Sequence, residues 1–315
     1  MIHLLFTGGT ISMHRDSAAG GNVPAHGGKA LVGFAPELAR VGPYRIEDWA
    51  RLPACHLHQE RLWALRERVR SVAGSGEVRG IVVTHGTDIL EETAYLLGRT
   101  LDPAVPVAIT GAMRTSSDAG WDGPRNLVDA ATVAAAPESG GRGAMVVFHG
   151  RVFAGVTAAK THTTDPDAFS APHAGPIGRL EGGRVVYDRP AVASSSLTPS
   201  ALTARVALVP MVVGDEGAML DLARPGHDGV VIESFGSGNV PPGAVPAIGR
   251  WLDEGKPVVL ASRCLYGTVV PTYAFEGGGA QTTAMGAIPA GARTPSQARM
   301  ELTIALSAGV PYGSA

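Results

Sequence analysis

The sequence predicts an α/β protein: a larger N-terminal domain on a mostly parallel sheet, followed by a smaller C-terminal α/β domain. Three observations carry that expectation. Short apolar runs at residues 2–6, 81–83, 105–109 and 144–148 alternate with stretches of helical periodicity. Such alternation favours parallel strands joined by right-handed crossovers, with helices on both faces of the sheet. The pattern then weakens after Arg151 into Thr-, Ser-, Asp- and Pro-rich sequence and resumes near Val206, so two blocks are expected. Finally, 315 residues are enough for two domains, each with its own core. We expect domains at 1–188 and 204–315, joined by a linker at 189–203 that contains three consecutive serines.

Taken in order, the first apolar run ends in Thr7-Gly8-Gly9-Thr10-Ile11. The glycine-rich residues 14–29 hold few large apolar side chains and read as a long mobile loop, a length usually kept for function, often as a lid. Leu62, Leu65, Val69 and Val72 mark one face of a helix over 61–72. The run 81–83 breaks at Thr84-His85-Gly86-Thr87-Asp88, and Ile89, Leu90, Ala94 and Leu97 then form a helical face. Asp88 with Glu91 three residues on reads as a capping-box-like helix start. Residues 105–109 lead into Thr110-Gly111-Ala112, and Pro124 suits the first position of a helix carrying Leu127, Val128 and Ala131. In the second block, strands are expected at 206–209, 230–233 and 258–262, with helices at 242–253 and 295–309. The last helix has Thr294 at N-cap, Pro295 at N1 and Gln297 at N3, a strong start signal.

Composition narrows the function classes. Hydrophobic content of 45% with 17% charged residues is that of a globular chain, and a formal charge of -2 argues against nucleic acid or an anionic membrane as partner. No apolar stretch reaches the length of a membrane span, and the short run at 4–6 is no signal peptide, so a cytoplasmic location is expected. Cys55 and Cys264 are far apart in sequence and imply no disulfide framework. His56, His58 and His162 lack metal-ligand spacing, and the glycine turns match neither nucleotide-loop pattern, so neither metal nor cofactor is expected.

The chemistry concentrates in two turns, each at a strand's carboxyl end, where open α/β sheets bind ligands. Thr7 and Thr10 occupy the first, Thr84 and Thr87 the second. Glycine lets backbone N–H groups approach a ligand, and a hydroxyl among such donors can attack a carbonyl whose oxyanion they stabilise. A threonine nucleophile needs a base. His85 is near in sequence. Lys160 competes, since it is one of only three lysines against 23 arginines and lies in a Thr-rich segment. Lysine, unlike arginine, gives up its proton when desolvated.

These turns, with Glu91-Glu92-Thr93-Ala94 after the second, resemble the bacterial-type L-asparaginase/glutaminase family. Further matches in family order are Thr110-Gly111-Ala112-Met113-Arg114, Asp122-Gly123-Pro124 with Asn126-Leu127, Lys160-Thr161 with Thr163-Thr164-Asp165, Gly238-Asn239 and Ser262-Arg263. The resemblance implies hydrolysis of a side-chain amide to the acid and ammonia through an acyl-enzyme. It assigns Thr10 as nucleophile and Thr87, Asp88 and Lys160 as a second catalytic group. Backbone donors near Thr10 and Thr87 would form the oxyanion hole, with Gly9 and Gly86 among the substrate-binding positions and Ala112 near the leaving amide. Gln59 and Asp88 would grip the substrate's α-carboxylate and α-ammonium, with His58 beside them. Asn239 and Glu276 would reach in from a neighbouring subunit of a homodimer or homotetramer.

Two departures from the family pattern stand out. Residues 12–29 contain no tyrosine where the family's lid places one beside the nucleophile, and Ala25 or His26 takes that position. His58 replaces the family's serine before the substrate-binding glutamine. They motivate another expectation on the same fold, an amino-acid-binding or sensor protein with weak turnover, and the amidase subunit of a tRNA-dependent amidotransferase is a third reading because it shares the motifs.

Overall fold

The computed structural model describes residues 1–102, 104–191 and 196–314, which divide into two compact units, Met1–Ser196 and Leu197–Ser314. The expected linker at 189–203 includes residues 192–195, which lie outside the described residues.

The first unit runs through strand β1 (Ile2–Gly8), a hairpin of β2 (Met13–Asp16) and β3 (Gly21–Pro24), helices α1 (Gly28–Gly33) and α2 (Leu38–Val41), and strand β4 (Tyr44–Leu52). Helix α3 (Gln59–Ala73), strand β5 (Gly80–Thr84), helix α4 (Leu90–Thr100), strand β6 (Val107–Thr110) and helix α5 (Gly123–Ala135) follow. Strands β7 (Ala144–Phe148), β8 (Arg151–Ala154), β9 (Ala159–Lys160), β10 (Phe169–Ser170), β11 (Gly178–Glu181) and β12 (Arg184–Tyr187) complete it. One eight-stranded sheet has the order β12-β11-β8-β7-β6-β5-β1-β4. The strands from β4 to β7 pair in parallel, whereas β8, β11 and β12 extend the sheet antiparallel.

The strand residues alternate between two cores, as a sheet covered on both faces requires. Ile81 and Val83 point to the layer of Leu65, Val69 and Val72 of α3 and Leu90, Ala94 and Leu97 of α4. Val82 points to the opposite layer, with Leu31 of α1, Leu38 of α2 and Leu127, Ala130 and Ala134 of α5. This alternation positions the site. After β1 the chain goes to the α1 face, and after its neighbour β5 it goes to the α4 face. Adjacent strands whose connections diverge leave a crevice at their carboxyl ends, the topological switch point of a doubly wound sheet.

Three expectations need correction. Residues 14–29 are not an unstructured loop: β2 and β3 pair from Met13↔Pro24 to Asp16↔Gly21, and α1 begins at Gly28. Asp16 Oδ1 accepts the backbone N–H groups of Ala18 and Ala19 (2.7 and 3.2 Å), closing the turn before Gly20. Too few apolar residues lie here for periodicity to reveal the strands. Asp88 is not a helix cap: α4 begins at Leu90 with Ile89 at N-cap and no side-chain cap. The segment after Arg151 is also not featureless, since β8 to β12 lie within it.

The second unit is a parallel sheet in the order β13 (Val206–Pro210), β14 (Gly229–Ser234), β15 (Val258–Ser262) and β16 (Ile288–Pro289). Helices α6 (Ala218–Ala223), α7 (Val245–Asp253), α8 (Gly279–Ala284) and α9 (Pro295–Ala308) accompany it. Trp251 of α7 is fully buried against Ile232 and Leu260 of the sheet, and Ala298 and Leu302 of α9 cover the other face. The capping box at Thr294 and Gln297 is present, and Gly309 ends α9 in the left-handed region at φ 68°.

Candidate active site

The two threonine turns touch through their backbones. Gly9 sits at φ 82°, and a Cβ built on it would stand 2.3 Å from Gly86 Cα. Only glycine lets the first turn lie directly on the second. The Thr7 hydroxyl donates to the Thr84 carbonyl at 2.8 Å and ties β1 to β5 just before both turns, a structural task that leaves Thr7 out of the crevice chemistry. Thr10 opens a short 3-10 turn, held because the Ser12 hydroxyl donates to the Gly9 carbonyl at 2.8 Å. The Thr10 side chain is half-buried and makes no hydrogen bond to any described residue.

Thr87, Asp88 and Lys160 meet. Lys160 Nζ donates to Thr87 Oγ1 at 3.0 Å and lies 3.4 Å from Asp88 Oδ1. Thr87 is buried, whereas the Asp88 side chain is 63% exposed, so the carboxylate faces solvent. A cavity of about 430 Å³ opens beside them, lined by Asp88, Lys160, Thr161, His162 and Thr163. Lys160 reaches the crevice from β9, a two-residue strand paired with β10. Its backbone N–H donates to Glu91 Oε2 at 2.6 Å. Glu91 therefore clamps the lysine's main chain to the start of α4, the helix that follows Asp88. Residues 69 positions apart give no spacing signal, and Glu91 stands in this clamp rather than in the cap that its spacing from Asp88 suggests.

His85 is not a base for either threonine. It is fully buried, with Nδ1 2.8 Å from the Gly86 carbonyl and Nε2 3.1 Å from the Thr93 hydroxyl. Burial lowers its pKa to about 4, against smaller opposing effects of the Gly86 carbonyl and Asp88. A neutral ring with Nδ1–H donating to Gly86 and Nε2 accepting from Thr93 satisfies both nitrogens. His85 thus fixes the turn that presents Thr87.

Ala54, just ahead of the helix that Gln59 begins, abuts Gly86: a Cβ on Gly86 would lie 2.6 Å from Ala54 Cβ. Gln59 is half-buried and His58 is exposed at the N-cap, 4.0 Å from Glu60. Gly111 closes a third side, since a Cβ there would stand 3.4 Å from Thr87 Cγ2, and Ala112 beside it is fully buried. His162 turns Nδ1 toward the backbone N–H groups of Thr164 and Asp165 (3.1 and 2.8 Å). Among the described residues no group of three or more His, Cys, Asp or Glu could hold a metal ion.

Asn239 and Glu276 belong to the second unit and come together there. Val240 N–H donates to the Gly277 carbonyl at 2.8 Å, and Asn239 Oδ1 accepts from Gly279 N–H at 3.1 Å. The Gly277-Gly278-Gly279 run has a packing reason: Cβ atoms on Gly277 and Gly278 would meet the Val240 and Tyr273 carbonyls at 2.2 and 2.3 Å. Glu276 projects exposed from this turn.

Comparison with known proteins agrees with this architecture. A family model described as the N-terminal domain of asparaginase matches residues 1–193, and one for the C-terminal domain of glutaminase/asparaginase matches residues 205–312. The chain belongs to the asparaginase family. A probable L-asparaginase of Deinococcus radiodurans is 38% identical over 310 residues, covering 97% of this chain and 92% of that protein. L-asparaginase 2 of Escherichia coli is 32% identical over 316 residues, covering 97% and 88%. The crystal structure of a probable cytoplasmic L-asparaginase from Campylobacter jejuni superimposes with a TM-score of 0.85 at 27% identity, covering 97% of this chain and 94% of that one. In asparaginase terms, the larger α/β unit with its mostly parallel sheet and the smaller α/β unit are the two family domains. No helix among the described residues is long and apolar enough to cross a membrane.

Proposed function

We propose that this chain hydrolyses the side-chain amide of L-asparagine to L-aspartate and ammonia through a threonine acyl-enzyme. The observation that carries the reading is the Thr87–Lys160–Asp88 cluster beside the Gly9/Gly86 contact, because it sets a second hydroxyl, an amine and a carboxylate next to the turn of Thr10. The enzyme is an asparaginase-type amidohydrolase acting on a small amide. Thr10 Oγ1 attacks the amide carbon and gives its proton to the Thr87–Lys160 relay. Backbone N–H groups of the Gly9 and Gly86 turns stabilise the oxyanion, and the amide nitrogen, once protonated, leaves as ammonia near Ala112. Water then cleaves the ester, releases aspartate and restores Thr10. Gln59 and Asp88 hold the substrate's α-carboxylate and α-ammonium, with His58 at the rim in place of a smaller serine.

Asn239 and Glu276 complete the site from a neighbouring subunit, so the working form is a homodimer or homotetramer, located in the cytoplasm. Glutamine is the secondary substrate to weigh, since one extra methylene discriminates weakly in a small pocket. Ammonia release from L-asparagine, D-asparagine and L-glutamine tests the reading, with Thr87→Val and Lys160→Met alongside wild type. Turnover of L-asparagine by wild type, cut at least about a hundredfold in both variants, is expected. Equal inactivity of all three proteins on every amide would remove hydrolysis as the function.

A further inference from the structure

His162 is the titratable side chain in the wall of the catalytic cavity that the amide chemistry does not use. It belongs to the loop 161–168 between β9 and β10, which also supplies Thr161 and Thr163 to that wall. Lys160 depends on this loop. β9 is two residues long and, among the described residues, pairs with β10 alone, Lys160 standing opposite Phe169. A two-stranded pair has little stability of its own. Glu91 holds the Lys160 main chain from the α4 side, and the order of the loop holds it from the other, keeping Nζ 3.0 Å from Thr87 Oγ1.

The loop is ordered by its own polar groups. Thr161 N–H donates to the Ala168 carbonyl at 2.7 Å and extends the β9–β10 pairing. Asp165 Oδ1 accepts the Asp167 N–H at 2.8 Å, and Asp167 pairs with Arg151 of β8. Between them, His162 Nδ1 accepts the backbone N–H groups of both Thr164 and Asp165, at 3.1 and 2.8 Å. An imidazole nitrogen accepts only when it carries no hydrogen, so this ring is neutral with its hydrogen on Nε2. A proton added to Nδ1 would point an N–H at two other N–H groups and end both bonds. The charged groups around the ring are Asp88 and Lys160 in the cavity wall, Asp165 and Asp167 within the loop, and Arg151 behind Asp167.

We propose that neutral His162 is a positioning residue for Lys160: its two backbone bonds keep the loop folded beside the cavity, and its protonation releases the loop and slows amide hydrolysis. The rate effect rests on the role given to Lys160 above, whereas the loop's response to a proton does not.

The test uses the full chain and its three lysines, Lys29, Lys160 and Lys256. Acetic anhydride labelling, read by mass spectrometry as the ratio of Lys160 to the exposed Lys29, follows the loop without substrate. The ratio cancels the change in reagent chemistry with pH. From pH 8 to about 5.5, across the range in which a free imidazole takes up its proton, it should rise at least about threefold in wild type. It should stay flat in His162→Asn, because asparagine keeps an acceptor for nearby backbone N–H groups and does not titrate. Over the same range kcat for L-asparagine should fall at least about fivefold in wild type and less than about twofold in His162→Asn. His162→Ala, with no acceptor, should be about tenfold slower at pH 8 with KM within about threefold of wild type. A flat labelling ratio in wild type, an equally steep fall of kcat in His162→Asn, or a His162→Ala protein as fast as wild type at pH 8 would overturn the proposal. Wild type inactive on every amide, with a ratio that still rises on acidification, would remove the amide reading and support the proton-sensitive loop.

Discussion

Lowering the pH should cost this protein stability through His85, whose pKa burial lowers to about 4. Its ring is fully buried and satisfied only when neutral, with Nδ1 2.8 Å from the Gly86 carbonyl and Nε2 3.1 Å from the Thr93 hydroxyl. Burial holds its pKa at about 4, below the 6.5 of a free imidazole. The unfolded chain therefore binds the proton more tightly than the folded one. The stabilisation is complete above pH 6.5 and is lost progressively as the pH falls from 6.5 towards 4. At roughly 1.4 kcal/mol per pH unit, the loss approaches about 2.5 kcal/mol by pH 4.5. That is a large share of an ordinary folding free energy of about 5–15 kcal/mol. The assay is urea unfolding at pH 7.5, 6.5, 5.5 and 4.5 for wild type and His85→Asn, which keeps a donor for the Gly86 carbonyl without titrating. Wild type should lose its advantage over the variant by about 1 kcal/mol or more per pH unit below 6. A difference constant from pH 7.5 to 4.5 would refute the buried neutral ring.

Glu91 should act on rate through Lys160, whose main chain it holds at 2.6 Å. Glu91→Gln retains an acceptor and should keep kcat within about threefold, while Glu91→Ala should lower kcat about tenfold to a hundredfold with KM little changed, as a displaced catalytic group does. Gly9→Ala combines φ 82° with a Cβ 2.3 Å from Gly86 Cα. Its urea midpoint should report a loss of about 3 kcal/mol or more, and a wild-type midpoint would mean the two turns do not touch. Thr294→Ala removes the hydroxyl that accepts the Gln297 N–H in the capping box of α9 and leaves the Thr294 N–H donating to Gln297 Oε1. It should cost about 1 kcal/mol in the same assay, and Thr294→Ser should recover most of it.

What could be read in the sequence follows from which signals are local. β1, β5, β6 and β7 were visible because interior strands of a covered sheet are continuous apolar runs, fully buried from Gly80 to Thr84 and from Ala144 to Phe148. β4 was not, since it forms the sheet's edge and carries Arg45, Glu47, Asp48 and Arg51 among its partly exposed residues. The hairpin at Met13–Pro24 was missed because its residues are at most half-buried, and its Gly20-Gly21 turn resembles any glycine-rich loop. At the crevice, Thr10, Thr87 and Asp88 announced themselves as clustered polar residues in short turns. Lys160 was distinguished by the rarity of lysine. The role of Glu91 was hidden because it depends on β9 folding back against α4 across 69 residues. His85 was misjudged for a related reason: its neighbour in sequence is Thr87, but its ring turns inward to Thr93. Asn239 and Glu276 lie apart in sequence, and the three glycines that join them serve backbone packing within the second unit.

Initial-rate ammonia release from L-asparagine by wild type and Thr10→Val decides whether Thr10 attacks the amide. The variant removes one hydroxyl from a half-buried turn whose fold is held by Ser12 and Gly9, so its circular dichroism and melting should match wild type. With Thr10 as nucleophile, kcat falls by at least about a thousandfold in a folded variant. A folded Thr10→Val protein that releases ammonia at the wild-type rate would contradict it.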